Sequence, residues 1–466
     1  MTNFMFKIKT SSLEIKVAKW YLFCLPFRMI LPFEWLSDYI GPLANYTDLL
    51  FHLWGLVLWL QNENSFNFAA INRPLFVTLK NSIIFLNASS MVMAVVMYYL
   101  YGNYYGHSPF IGVIPMILFY FQYLFMFLYN IRVFSLLSYR QMVTILSKTC
   151  TVLLIIGYLQ VAAMIGPGAV VYDTIASVVG GLQLSSEIGK LSLTGTEGAA
   201  AGSLLGSFVW PFLFARILHR DKSSGYQILL WLIPLYYTHS STAMLLFVLN
   251  FILFVYLMSR YSLSGAKFAR RLIGSGCVLI VCAIIFMSFS DVVSSDVTEE
   301  INYLVFDKAT DKDNASTAAR TLPFILSWGC FTELPILGVG NGLQGYFYDK
   351  YFPLSFLDYA SMDFFYDKRH EGIGNGGCFF TGYFSGYGII GLFILTNIIY
   401  KMRKTFSSRK QNLGLFHEMF IIGAICLIPN GLQGDFYVLY YAWFVLSIPF
   451  MYFTQKELKD TYLTLR

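Results

Sequence analysis

Apolar residues in this chain come in long unbroken runs separated by short polar stretches, and the runs do not alternate in polarity. About 20 mostly apolar residues cross a bilayer as a helix, whereas a membrane β-barrel is written in short alternating segments. The pattern therefore predicts an all-α polytopic integral membrane protein of about twelve transmembrane helices. The runs fall at 17–33, 42–60, 82–102, 110–130, 149–172, 197–218, 226–238, 240–258, 272–290, 378–400, 415–432 and 436–454. The seventh run is short, and with the eighth it reads as a tight hairpin turning at Thr238-His239-Ser240. One polar stretch breaks the rhythm: residues 291–377 form a single large loop late in the chain. The chain thus divides into 1–290 with nine spans, 291–377 as the loop, and 378–466 with three further spans and the C-terminal segment.

Composition agrees with the pattern. Apolar residues make up 57% and charged residues 12%, with a mean hydropathy of +0.59; a soluble domain carries about 25% charged residues. The net charge of +6 does not point to nucleic acid, because the basic residues sit in short loops, where orientation signals are found. Lys7, Lys9, Lys16, Lys19, Arg73, Lys80, Arg132, Arg140, Lys148, Arg220, Lys222, Arg260, Lys267, Lys401, Arg403, Lys404, Lys456 and Lys459 all fall on one side when twelve spans are drawn. The positive-inside rule makes that side cytoplasmic, puts both termini there and turns the large loop outward. The first apolar run has no small-residue cleavage site after it, so no cleaved signal peptide is expected.

The loop is acidic in a basic chain, with thirteen Asp and Glu against six Lys and Arg. Residues 315–332 read as a short interfacial helix broken at Pro323. Aromatic residues are dense here; they either anchor at the membrane interface or stack on sugar rings. Arg320 either holds phosphate oxygens bidentately or is an ordinary interfacial arginine. The glycine-rich turn Gly338–Gly342, with Gly340 and Asn341, offers backbone N–H groups that can cradle an anion. Lys368, Arg369 and His370 form a cationic cluster that can neutralise a diphosphate, and His370 can take a hydroxyl proton. Arg28 lies within the first run, where an ionisable side chain is a functional candidate, and His239 sits at the hairpin turn. No phosphate-binding loop, dinucleotide fingerprint, metalloprotease helix or nucleophile elbow occurs. Cys330 and Cys378 flank the loop and are candidates for a disulfide on an oxidising side. The pentapeptide NGLQG occurs twice, at Asn341–Gly345 and Asn430–Gly434, and carries no repeat argument.

Three stretches together resemble the O-antigen polymerase and ligase superfamily of bacterial envelopes. One runs from Arg320 through Trp328 to the LPILGVGNG turn ending at Gly342. The second is YFSGYGIIGLFIL from Tyr383 to Leu395, and the third is THSSTAMLLFVLNFILF from Thr238. Two departures set the chain apart from the ligases of that superfamily and toward its Wzy-type polymerases. Gly377 and Cys378 stand where ligases carry His-Asn, and Ser241 stands where the hairpin carries Arg.

The resemblance implies glycosyl transfer at the periplasmic face of the bacterial inner membrane. The donor would be a growing glycan on undecaprenyl diphosphate, and the acceptor a new lipid-linked repeat unit. Diphosphate departure powers the step, so neither nucleotide nor metal nor cofactor is called for. On this reading Arg320, with Arg369 or Arg28, stabilises the leaving group, and His370, then His239, activates the acceptor hydroxyl. Gly338, Gly340, Asn341 and Lys368 belong to the substrate-binding set. Membrane lipid, a chain-length regulator and a flippase are the implied partners, with no nucleic acid. The alternatives are a ligase moving finished glycan to a lipid A core, a flippase for the same lipid-linked sugar, and a structural partner in an export complex. The spans are nearly free of Asp and Glu and show no repeated halves, both unlike a transporter.

Overall fold

The computed structural model of the chain describes residues 12–27, 73–103, 107–165, 191, 193, 198–261, 267, 315–352, 379–433 and 440–464. Among them the regular structure is helical, with no strand. Helix α1 is Ser12–Cys24, α2 Arg73–Tyr101, α3 Pro109–Leu136 and α4 Tyr139–Ile165. Helix α5, Gly198–Leu204, passes through a π-helical turn at Leu205–Val209 into α6, Trp210–Leu218. Then come α7, Lys222–Tyr237, and α8, Ser241–Tyr261. Beyond residues 268–314, α9 is Ala315–Glu333, followed by a 3-10 turn at Gln344–Phe347 and the short α10, Tyr348–Tyr351. The last elements are α11, Phe379–Arg409, α12, Phe416–Gln433, α13, Tyr440–Ser447, and α14, Gln455–Thr464.

Among the described residues, six helices are long and apolar enough to cross a membrane: Pro74–Tyr101, Pro109–Leu136, Tyr139–Met164, Ala200–Leu218, Ser241–Arg260 and Phe379–Asn412. Phe416–Leu432 and Tyr441–Phe450 are shorter apolar helices. The predicted spans at 42–60 and 272–290 lie outside the described residues. The hairpin at Thr238-His239-Ser240 is present between α7 and α8, and His239 takes a left-handed backbone with φ 44° to make the turn.

Helix ends are set by local chemistry. Pro109 opens α3 at a position where a missing N–H costs nothing. Ser138 and Gln141 form a capping box on α4, each side chain accepting from the other's backbone N–H at 3.4 and 3.0 Å. Asp221 caps α7 by accepting from Ser223 N at 3.0 Å and also pairs with Arg216. Thr454 and Glu457 repeat the box on α14.

Alternating chain direction gathers the basic ends together. There Arg132 grips Glu14 with two hydrogen bonds of 2.7 and 2.9 Å, joining α3 to α1. Arg216–Asp221 and His219–Glu418 lie at the corresponding ends of α6, α7 and α12. At the other end lie the α2–α3 turn, the α7–α8 hairpin and the approach to α11. Two features differ from the sequence expectation. Helices run past the apolar runs at their basic ends, so Arg73, Lys80, Arg132, Arg140, Lys148, Arg260, Lys401, Arg403 and Lys404 are helical rather than loop residues. Long basic side chains reach polar surroundings from within a helix end, which lets the helix outrun its apolar stripe. Helix α9 also runs unbroken from Ala315 to Glu333 across Pro323.

The main core joins α1, α3, α4, α5, α6, α7, α8, α12 and α13 around fully buried Trp210, Trp231, Phe208 and Phe444. A polar tie crosses it: Tyr21 Oη donates to Asn130 Oδ1 at 2.8 Å, and Asn130 Nδ2 donates to Ser447 Oγ at 3.2 Å. Helices α2, α9 and α11 pack on one another and on α3 through separate, smaller clusters.

Candidate functional site

Helix α11 is broken inside its apolar stretch. Gly388 has φ 57° and ψ −151°, a conformation that leaves the backbone on both sides without its helical partners. In a dry environment such groups must be satisfied from elsewhere. The segment after α9 supplies what is missing. Val339 N donates to Ser385 O at 2.9 Å and Gly340 N to Gly386 O at 3.0 Å, satisfying carbonyls of the first half of α11. Ile389 N donates to Pro335 O at 2.8 Å and Ile390 N to Ile336 O at 3.1 Å, capping the second half. The break and the loop are thus one interlocked unit, held backbone to backbone.

Glycine makes the approach possible. A Cβ on Gly338 would lie 2.4 Å from the Gly386 carbonyl, and one on Gly388 would lie 2.6 Å from Pro335 O. Gly338, Gly340 and Gly342 all have positive φ, at 75°, 93° and 90°. Gln344, fully buried, stitches the unit together: its Oε1 accepts from Gly342 N at 2.9 Å, and its Nε2 reaches Gly382 O at 3.2 Å and Ser385 Oγ at 3.3 Å. Asn341 N donates to Ser90 Oγ at 3.2 Å, tying the loop to α2, while Gly342 lies against Gly112 of α3.

This corrects the use expected for the glycine turn. Gly338 N bonds Leu334 O, and the amides of Val339, Gly340, Asn341, Gly342 and Leu343 also each reach a protein acceptor. They are consumed within the protein and do not form an open row of donors for an anion. What Asn341 keeps to offer is its buried side chain, which faces the Tyr387 hydroxyl together with Ser90 and Tyr120.

The other candidates are spread apart. Arg320 lies on α9 in its second turn, about 20 Å along the helix axis from Glu333. His239 is half-buried beside the rings of Tyr236 and Tyr237, at 5.6 and 6.3 Å, on the α7–α8 hairpin. Helix α8 packs on α5, α6 and α12, and α7 on α4 and α6, so this hairpin belongs to the main core and not to the interlock. Arg28, Lys368, Arg369 and His370 lie outside the described residues. So does Cys378, while Cys330 is a free, buried thiol contacting Gln344 O, with burial pushing it up to about 12. At the end of α9, Lys350 and Tyr351 both donate to Glu333 and hold its carboxyl below the ordinary glutamate range.

Ser90, Gln344, Ser385 and Gly388 take part in the interlock without having been candidate site residues, although the last three lie in stretches named from sequence. The signal was available in part, since a span reading SGYGIIG is unusually rich in glycine for a plain helix. No protein family matches the chain, and no curated protein matches it.

Proposed function

We propose that this chain is a glycosyltransferase that polymerises undecaprenyl-diphosphate-linked oligosaccharide repeat units at the periplasmic face of a bacterial inner membrane. One observation carries the reading. Two of the three stretches that resemble the O-antigen polymerase superfamily, LPILGVGNG and YFSGYGIIGL, are hydrogen-bonded to each other across the break at Gly388. Shared motifs that close on one another are expected to be kept together as a unit, whereas chance matches have no reason to meet.

On this reading the interlocked end faces the periplasm and both termini face the cytoplasm. A hydroxyl of the incoming repeat unit attacks the anomeric carbon of the donor glycan. The bond from that carbon to the phosphate oxygen breaks, undecaprenyl diphosphate leaves, and the hydroxyl proton passes to a base, with His370 the first candidate. Arg320 neutralises charge developing on the diphosphate. The role of the interlock is to hold α9, and with it Arg320, at a fixed position on α11, because preorganised charge is the largest source of such stabilisation.

A gel of surface glycan tests the proposal, comparing a deletion strain, the wild type and Arg320→Ala. The deletion should leave a single repeat unit on the acceptor lipid in place of a ladder. Arg320→Ala should lower polymerisation by about a hundredfold or more with normal protein abundance in the membrane. A full ladder in the deletion strain sinks the proposal, and a full ladder in Arg320→Ala removes that residue from the site.

A further inference from the structure

Beside the interlock, midway along α2, lies a set of buried polar side chains with no charge among them. Asn87 is at the midpoint of α2, about 21 Å along the axis from either end. It is 5% exposed, and neither its Nδ2 nor its Oδ1 has a hydrogen-bond partner. Ser90, 1% exposed, shares its helix face one turn on and already receives the Asn341 amide. Tyr387, 2% exposed, brings its hydroxyl toward Ser90, Tyr120 and Asn341, yet that hydroxyl completes no hydrogen bond with them.

An unpaired buried amide costs about 1–3 kcal/mol, and more where no water competes. Carrying both an orphan amide and an orphan hydroxyl in one place is a standing cost that a bound partner removes. The chemistry of that partner is constrained. No charged residue occurs in α2 from Asn81 to Tyr101, in α3 before Arg132, in α11 before Lys401, or in Leu334–Phe347. A diphosphate would be left without a counter-charge, so the ligand is uncharged. Amide and hydroxyl groups match one that both donates and accepts. Aromatic rings surround the niche, with Tyr120 and Tyr383 lying 6.2 and 5.1 Å from Tyr387 between centroids. Phe379 and Tyr383, stacked at 5.8 Å, continue this aromatic wall up α11 toward the interlocked end.

We propose that the niche lined by Asn87, Ser90, Tyr120, Asn341, Tyr383 and Tyr387 is a subsite for uncharged saccharide hydroxyls of the membrane substrate. The inference rests on the transferase reading and deepens it. It assigns sugar recognition to the α2–α11 seam and leaves the diphosphate to the arginines elsewhere.

Two isosteric variants test it, Asn87→Leu and Tyr387→Phe, each removing an orphan polar group with little change of volume. The probe is the repeat-unit saccharide released by mild acid from the lipid-linked pool of the deletion strain. It is titrated onto full-length protein in nanodiscs, with affinity expressed per folded protein by size exclusion. Wild type should bind, and both variants should bind at least tenfold more weakly and give shortened ladders on the surface-glycan gel. No binding by wild type, or unchanged affinity in either variant, overturns the subsite and leaves the niche to water alone. The deletion lane of the same gel separates the two claims: a lost ladder there with wild-type ladders in both variants removes only the subsite.

Discussion

Among the described residues, α11 at Gly388 and the α5–α6 segment at Leu205–Val209 both leave regular α-helical geometry, and the repairs differ in kind. At Gly388 another stretch of main chain closes the gap, amide to carbonyl, in both directions. At the π-helical turn, side chains from neighbouring helices reach in. Asn250 Nδ2 of α8 donates to the turn's Gly206 O at 2.8 Å and also to Leu246 O of its own helix at 2.7 Å. Asn430 of α12 donates to Ser207 Oγ and accepts from Ser203 Oγ at 3.1 Å. Backbone repair demands close approach, which only residues without a Cβ permit, and it fixes two chain segments in register. Side-chain repair demands only an amide within reach and leaves the helix continuous. The first kind builds a rigid junction between distant parts of the sequence, whereas the second accommodates one extra residue in a turn.

The difference can be broken experimentally, and the largest effect is expected at the glycines. Gly338→Ala places a methyl 2.4 Å from the Gly386 carbonyl at φ 75°. The left-handed conformation costs about 1–2 kcal/mol and the overpacking about 1–3 kcal/mol more. Thermal unfolding of the purified protein in micelles should show a clear drop in Tm. An unchanged melt would mean that the interlock does not hold α9 on α11.

A smaller effect is expected at the π-helical turn. Asn250→Leu leaves Gly206 O without its side-chain donor, which costs about 1–3 kcal/mol. The substitution also removes the buried, unpartnered Asn250 Oδ1, so the net loss falls near the low end of that range. The same melt should therefore rank Asn250→Leu well above Gly338→Ala in stability, and the reverse order would erase the distinction between the two repairs.

The smallest effect concerns the clip at the end of α9. Glu333 has its carboxyl lowered by hydrogen bonds from Lys350 and Tyr351. A lowered folded-state value contributes stability above the unfolded value, and this is lost as pH falls through the folded one. Lys350 is mostly exposed, so solvent screening leaves the pair a small contribution. Hydrogen exchange in residues 344–352 should quicken relative to the rest of the protein on acidification through the carboxylate range. Glu333→Gln should show the faster exchange already at neutral pH, with no further response to acid.

Much of the helical framework was legible because long apolar runs leave a bilayer protein few choices. The α7–α8 hairpin was readable from three small polar residues, Thr238, His239 and Ser240, between two apolar runs. The helix starts were less so: Arg73 and Arg140 count against a span in any hydropathy sum, yet a helix carries them without cost where their side chains reach polar surroundings. Pro323 was expected to break α9 and does not. At the candidate site, the density of glycine in GVGNG and SGYGIIG was visible, but its use was not. Sequence shows that the amides of Gly338, Gly340 and Asn341 are sterically open; it does not show that Leu334 O, the Gly386 carbonyl of α11 and the Ser90 hydroxyl of α2 reach them first. The π-helical turn left no trace in composition, since its support comes from Asn250 and Asn430, far along the chain.

The interlock also has a consequence for how the protein is born. Val339 and Gly340 find their partners, Ser385 and Gly386, about 45 residues later in the chain, several seconds of synthesis at about 5–20 residues per second. During that interval the Val339 and Gly340 amides lack these acceptors and cannot rest in lipid. The nascent segment has to wait in water or within the insertion machinery until α11 is made. Release of α9 is thereby coupled to release of α11, and a ribosome stalled between them would strand a half-inserted chain.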